Sequence, residues 1–364
     1  MISPEQKFPY ATFDWLWFLA ILALSGAGTL AIWSTTSDTG LSIYFSRQLI
    51  YLCCGLLCFL ALLYFDYHVF SDFIVMIYCG GMFALLLVLI LGRSVSGNKS
   101  WLNLGFSFQP SEFVKIIVII ALAKYYAEID SDFLNLRELL TGAAIVFVPT
   151  ILVLLQGDLG TAITFVPIYA ALSFLAGVRK KHWIALLLIG IMAAPCSWFL
   201  MKGYHKDRIE TILNPEKDPQ RIGYQTIQSQ IAIGSGKFLG KGFKQGSQGL
   251  LGFLPARHTD FVFAVLAEEK GFVGGITILG LFLFVFFRLF RVGREAKDKV
   301  GAMIASGVMS IILFHAVINI GMAVGWVPVI GIPLPFISAG GSSLISCFIG
   351  MGLCMNIWMR RYVN

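Results

Sequence analysis

The chain has 364 residues, of which 57 % are hydrophobic and only 13 % charged, with a formal net charge of +7. Soluble domains carry about 25 % charged residues, so the composition excludes a soluble globular protein, a disordered chain and a small disulfide scaffold. The 27 Lys and Arg are spread between long apolar runs rather than gathered into a patch, which argues against a nucleic-acid partner.

A helix needs about 20 mostly apolar residues to cross about 30 Å of hydrocarbon. Such runs are predicted at Trp15–Trp33, Gln48–Phe65 and Phe73–Gly92. Pro110–Tyr126 follows, interrupted by Glu112 and Lys115, then Leu139–Gln156, Leu159–Val178, Trp183–Met201 and Gly271–Phe287. The uncharged stretch Val300–Met359 is long enough for two more spans around a Gly/Pro-rich break from Gly325 to Gly341. The predicted fold is all-α: a polytopic membrane protein of ten transmembrane helices, one domain over 1–364, with a large extracytoplasmic loop, 202–260, between the seventh and eighth. Residues 1–13 lack a basic region followed by a short apolar core and a small-residue cleavage site, so no removable signal peptide is expected.

Orientation follows the basic residues. With the N-terminus in the cytoplasm, the inner loops collect Arg179, Lys180 and Lys181, then Arg288, Arg291, Arg294, Lys297 and Lys299, then Arg360 and Arg361. Both termini are then expected inside, with residues 202–260 outside. All seven cysteines (53, 54, 58, 79, 196, 347 and 354) fall in apolar runs and read as buried small hydrophobes. The five histidines show no metal-ligand spacing, and no phosphate-binding loop or nucleophile elbow occurs.

Ionisable residues in or beside a membrane core are functional candidates by default, and that filter selects four places. In Gln109-Pro110-Ser111-Glu112-Phe113-Val114-Lys115, Pro110 suits the first helical position. Glu112 then lies where the helix dipole favours negative charge, with Lys115 one turn on, so the two can pair inside the bundle. The pair fits a structural tie between helices and also the lining of a polar cavity. In the outer loop, glycines at 234, 236, 240, 242, 246 and 249 alternate with Lys237, Lys241 and Lys244, which would let N–H and ammonium groups approach an anion. An ordinary solvated loop has the same composition.

Arg257-His258-Thr259-Asp260-Phe261 directly precedes an apolar run and the pair Glu268-Glu269. Asp260 at the membrane edge would have its pKa raised by desolvation, against the opposing effect of Arg257 and His258. A carboxylate so placed suits a general base and equally a helix N-cap. Last, Pro333-Leu334-Pro335-Phe336 with Ser338-Ala339-Gly340-Gly341-Ser342-Ser343 is irregular backbone at membrane depth, which survives only buried in protein or lining a cavity. A cavity-lining hairpin and a connecting loop are both consistent with it.

These residues carry a resemblance. Asn214-Pro215, Asp218-Pro219, Gly223-Tyr224-Gln225, Gln228-Ser229, Ala232-Ile233-Gly234-Ser235-Gly236 and Gly240-Lys241-Gly242 look like the large outer loop of the SEDS (shape, elongation, division, sporulation) family. Phe253-Leu254-Pro255 through Arg257-His258-Thr259-Asp260-Phe261 and Phe263-Ala264-Val265-Leu266-Ala267-Glu268-Glu269 is the most specific stretch. It resembles the elongation branch more than the division branch, which usually has Gly where Ala267 stands. Gln109 to Lys115, Asn319-Ile320-Gly321-Met322, Pro333-Leu334-Pro335-Phe336 and Gly340-Gly341-Ser342-Ser343 complete the set, in order, over essentially the whole chain. The sequence departs from the family pattern at Gly157, where Pro is usual, at Lys237, where Gly is common, and at Ala339, where Tyr is common. Gly157 is expected to relax the turn that opens the sixth span.

The resemblance implies a bacterial inner-membrane peptidoglycan glycosyltransferase that polymerises lipid II for cell-wall elongation, together with a class B penicillin-binding protein and other elongation-complex proteins. It places the family's outer-loop Asp at Asp260, its intramembrane Glu and Lys at Glu112 and Lys115, and its Arg-Gln pair at Arg47 and Gln48. Asp260 is then the expected base. Arg47, Lys115 and Arg257 are candidates to neutralise the diphosphate leaving group, a task that a divalent cation such as Mg or Mn could share. Gln48, Lys241, His258, Ser342 and Ser343 are expected to line the cavity. A lipid II transporter and a non-catalytic scaffold are the rival readings. Net charge +7 suits a diphosphate lipid.

Overall fold

The computed structural model describes residues 12–36, 42–95, 98–103, 107–179, 181–184, 188, 222–250 and 252–362. Most of the predicted seventh span, the first part of the large loop (202–221), Lys180 and Cys196 lie outside the described residues.

The elements are α1 (Trp15–Thr36), α2 (Ser42–Tyr64), α3 (Tyr67–Asp72), α4 (Ile74–Leu91), β1 (Arg93–Val95), β2 (Asn98–Asn103), β3 (Ser107–Phe108), α5 (Pro110–Ala127), α6 (Leu136–Leu155), α7 (Leu159–Ile163), α8 (Phe165–Leu175), α9 (Ile222–Ser235), α10 (Ser247–Leu250), α11 (Val262–Glu295), α12 (Lys299–Val324) and α13 (Gly341–Arg360). Seven of them, α1, α2, α4, α6, α11, α12 and α13, are long and apolar enough to cross a membrane. The chain is mostly helical rather than all-α. An antiparallel sheet in the order β1-β2-β3 joins α4 to α5, with Arg93 opposite Trp101 and Leu102 opposite Phe108. Gly92, extended at ψ 140°, ends α4 and starts that excursion.

Three boundaries differ from the apolar runs for definite reasons. The sixth predicted span is split into α7 and α8. Pro167 lacks the N–H that would bond the Ile163 carbonyl, and its ring crowds that carbonyl. The eighth begins early, at Val262, and runs past Phe287 to Glu295 because Arg288, Arg291 and Arg294 extend beyond the apolar core. It breaks at Gly271, where φ is 65° and ψ −161°. The N–H groups of Phe272 and Val273 freed there donate to the carbonyls of Lys237 (2.9 Å) and Phe238 (3.2 Å). A side chain at 271 would collide with the amide of Gly240, so only Gly satisfies both the backbone and the approach.

The core is centred on α5, α12 and α13. Nearly every residue of α13 is buried, as a helix apolar on all sides must be. Its small residues let neighbours close in, as is usual between membrane helices: the Tyr51 ring lies over Gly341 and Phe348 over Gly55, while the α2 backbone at Phe59 meets Gly352. Asp14 pairs with Arg288, Asp66 with Arg360, and Tyr67 and His68 with Asp298, so these residues share one end of the bundle. The sheet, the turn carrying Asp260 and the irregular stretch 326–340 lie at the other.

Candidate active site

Asp260 sits on a tight turn just before α11. Ala256 takes a φ of 50°, and its carbonyl accepts the N–H groups of Thr259 (3.1 Å), Asp260 (3.1 Å) and Phe261 (3.3 Å). The cap position of α11 is Phe261, so Asp260 lies one residue ahead of it, on the turn rather than in the helix. The turn is stitched to the stretch 326–340. Asn319 Nδ2 on α12 donates to the carbonyls of Asp260 (3.0 Å) and Ile332 (2.8 Å). Ser338 Oγ donates to the Thr259 carbonyl (2.6 Å), and the Ala339 N–H to the His258 carbonyl (2.8 Å). Ser338 Oγ also accepts the Leu334 N–H at 2.8 Å. The Oδ2 atom of Asp260 faces Gly331: a Cβ built there would stand 3.9 Å from it.

The stretch 326–340 is thus packed into the bundle end as a floor beneath Asp260. Val329, Ile332, Leu334, Phe336 and Ile337 are buried in it. Phe336 holds a φ of 66° with its ring edge-on to Phe348 at 5.6 Å. A non-glycine residue in that region costs about 1–3 kcal/mol and persists where the surroundings over-determine it.

Arg257 and His258 stand just ahead of Asp260 on the same turn. Partial burial lowers the pKa of Arg257 from its ordinary value, yet guanidinium remains charged at neutral pH. Burial, and secondarily the charge of Arg257, lowers the pKa of His258, so its ring is neutral at pH 7. That ring lies 4.6 Å from Tyr44 at the start of α2. One turn further along α2, Arg47 is exposed while Gln48 is buried.

Deeper in the bundle, Lys115 Nζ donates to both carboxylate oxygens of Glu112, at 2.9 and 3.0 Å, with both side chains buried. The predicted i,i+3 pairing is realised, and a third partner joins it: Nε2 of His315 on α12, 3.3 Å from Lys115 Nζ. Ser342 Oγ, at the start of α13, accepts the Gln109 N–H at 2.9 Å and so holds the first turn of α5. Ser343 is half-buried beside it. Gln109 Nε2 in turn donates to Asp158 Oδ2 (2.8 Å), while Asp158 Oδ1 caps α7 through the Thr161 N–H (3.0 Å). Gly157 before it takes φ 85° and donates its N–H to the Leu154 carbonyl at 2.9 Å. Proline could do neither. The glycine therefore commits this turn to a left-handed form instead of merely relaxing it.

Lys241 is held elsewhere. Its ammonium pairs with Glu268 Oε1 at 2.6 Å, and that carboxylate also accepts the Ser247 hydroxyl (3.3 Å) and the N–H groups of Gln248 (3.0 Å) and Gly249 (3.2 Å). Adjacent Glu269 accepts the Ser34 hydroxyl and the Lys244 N–H. The glycine-rich loop does cradle an anion, as its composition suggests, but the anion is the chain's own carboxylate. This ties the loop to α1 and to the first turns of α11.

Glu268, Glu269 and Asn319 enter the sequence reading only as motif residues, and Asp158 and His315 are given no role there. A signal existed for the two glutamates, adjacent charges inside an apolar run, and for His315 and Asn319, polar residues one turn apart on an uncharged span. Among the described residues no three His, Cys, Asp or Glu side chains converge as a metal site.

Comparison with known proteins places this arrangement. Residues 10–363 match the FtsW/RodA/SpoVE family, described as cell cycle protein. The chain is 32 % identical to the peptidoglycan glycosyltransferase RodA of Treponema pallidum, over 96 % of this chain and 98 % of that one. It is 37 % identical to the peptidoglycan glycosyltransferase MrdB of Escherichia coli K12, over 94 % and 92 %. Relatives named stage V sporulation protein E and FtsW stand at 35 % and 34 %, so similarity alone does not choose a branch. Among solved structures, a chain from a study of polymerization and crosslinking by a peptidoglycan synthase complex superposes with a TM-score of 0.84 at 29 % identity, covering 97 % of this chain and 99 % of that one. With nearly its whole length matched, the chain belongs to the FtsW/RodA/SpoVE family of membrane proteins, the SEDS family.

Proposed function

We propose that this peptidoglycan glycosyltransferase acts in the elongation branch, polymerising lipid II with Asp260 as general base. The observation that carries the reading is Asp260 itself: a partly exposed residue on a turn braced by Asn319 and Ser338, with its Oδ2 facing Gly331 and with Arg257 and a neutral His258 just ahead of it in the chain. In the reaction, Asp260 takes the proton of the GlcNAc 4-hydroxyl of one lipid II. The oxygen attacks the MurNAc anomeric carbon of the growing chain. The bond from that carbon to the diphosphate breaks with inversion, and undecaprenyl diphosphate leaves. General-base assistance of this kind contributes about 10²–10⁴ in rate.

Exposed Arg47 and partly exposed Arg257 are suited to receive the developing diphosphate charge. Lys115, buried and already holding Glu112, is suited to bracing the packing beneath the site. Asp260 supplies one carboxylate near that position, a donor set that fits a magnesium-type cation held mainly by substrate phosphates and water. Such a cation would offset leaving-group charge.

The proposed topology has ten crossings, since Val178 stands at the Asp298 end beside Leu134 and α9 stands at the Asp260 end, where Ser229 and Gln230 cap the carbonyls of Ala323 and Val324. Both termini are then cytoplasmic, with Asp260 outside. Lipid-facing apolar surface on α2, α4 and α11 leaves room for a class B penicillin-binding protein partner. The test is polymerisation of labelled lipid II by purified protein in detergent, where nothing need cross a membrane. Asp260→Asn is expected to abolish polymer while leaving the unfolding temperature unchanged, and normal polymerisation by that variant would sink the assignment.

A further inference from the structure

We propose that His315 is a positioning residue for this reaction, coupling the buried Glu112–Lys115 pair to the floor on which Asp260 works. The inference rests on the reading of Asp260 given above.

The ring nitrogens of His315 have distinct partners. Nε2 lies 3.3 Å from Lys115 Nζ, and Nδ1 lies 3.3 Å from the Pro333 carbonyl oxygen. An ammonium has three donors and no acceptor. Two of the Lys115 donors go to the Glu112 oxygens, and the third meets Nε2, which must therefore be bare. The carbonyl of Pro333 accepts only, so Nδ1 carries the proton. One tautomer, Nδ1–H, satisfies both contacts, and the pair of contacts selects it.

The connection to Asp260 is short. His315 and Asn319 lie one turn apart on α12 and grip consecutive carbonyls, those of Pro333 and Ile332. The next residue back is Gly331, the one facing Asp260 Oδ2, and the same Asn319 amide holds the Asp260 carbonyl. Two successive floor residues, 332 and 333, are thus held by α12 next to Gly331, and His315 transmits to them the position of Lys115. Irregular backbone has no helical ladder to hold it, so side-chain donors of this kind decide where it sits.

Two substitutions separate positioning from mere filling. His315→Gln keeps one acceptor and one donor at the tip of the side chain, and His315→Leu keeps bulk without either. With labelled lipid II, His315→Leu is expected to lower kcat by about 10- to 100-fold with KM changed by less than about twofold, as misplacement of a reacting group does. His315→Gln should hold kcat within about threefold of the parent protein. Equal loss in both variants, or full kcat in His315→Leu, would overturn the proposal. A measurement independent of turnover, nitrogen-15 spectroscopy of histidine-labelled protein, should find His315 protonated at Nδ1 and bare at Nε2. A proton on Nε2 would overturn it even if His315→Leu fails to fold. Asp260→Asn in the same assay keeps the two claims apart: a polymerising Asp260→Asn removes the base and leaves the His315 result standing.

Discussion

The two ends of the bundle handle charge in opposite ways. At the Asp298 end, charged side chains are partly exposed and share partners: His68 bridges Asp66 and Asp298 at 2.7 Å each, Arg360 also reaches Asp66, and Arg291 and Arg361 both turn to Glu295 while stacking on Trp358. At the Asp260 end, Glu112, Lys115, Glu268 and Glu269 are buried, each with its own donors or acceptors. An exposed pair is worth about 0–1 kcal/mol, since water replaces a lost partner. A buried charge stripped of its partner has no such substitute. Redundancy at one end and individual necessity at the other suit a surface that fixes orientation in the membrane and a site that fixes geometry.

The widest gap between the ends should come from Lys115→Met, which leaves Glu112 buried and unpaired. A loss of about 3–5 kcal/mol in unfolding free energy is expected, with a large part regained in the double variant Lys115→Met with Glu112→Gln. Chemical unfolding in detergent reads both, and a Lys115→Met loss below about 1 kcal/mol would erase the contrast. Next comes Glu268→Gln. It removes the negative charge that Lys241 and two backbone N–H groups share, at an expected cost of about 1–3 kcal/mol. Limited proteolysis should then cut faster between Gly236 and Gly249, and an unchanged digestion pattern would show that Glu268 does not hold the loop.

The smallest effect belongs to the exposed end. Burial alone would raise the pKa of Asp66 and of Asp298, but hydrogen bonds bring both below the ordinary value, and the two carboxylates outweigh burial to raise that of His68. The His68 contribution is therefore complete below its unfolded value of about 6.5 and is lost as pH rises through its raised folded value. The carboxylate contributions are present above about 4 and are lost as pH falls through their lowered values. His68→Gln is expected to change stability by less than about 1 kcal/mol and to flatten the decline above about pH 6.5 in thermal unfolding. A larger change would mean that this end is as specific as the other.

Much of the candidate site was legible from local rules. Pro110, Glu112 and Lys115 announce a helix start with a pair on one face, because i,i+3 spacing on a helix leaves little choice. Asp260 is conspicuous because charge is scarce in the chain. The start of α11 at Val262 puts the cap position at Phe261, one residue beyond Asp260. Lys241 shows where local reasoning stops: a lysine among glycines reads as an anion site or as an ordinary solvated loop, and only the fold brings Glu268, 27 residues on, to meet it. The sheet between α4 and α5 went unpredicted because its strands, of three, six and two residues, are too short to impose an alternating pattern.

By itself the sequence determined the membrane environment, the main apolar helices, the family and the carboxylate on which the proposed chemistry rests. These follow from composition, from runs set against hydrocarbon thickness, and from motifs only a few residues long. Tertiary structure alone decided that His315 meets Lys115 across 200 positions, that Asn319 grips Asp260 and Ile332 together, and that residues 326–340 form a floor rather than a free loop. The reason is physical: a buried polar group must find its partner in space, and nothing requires that partner to lie near it along the chain.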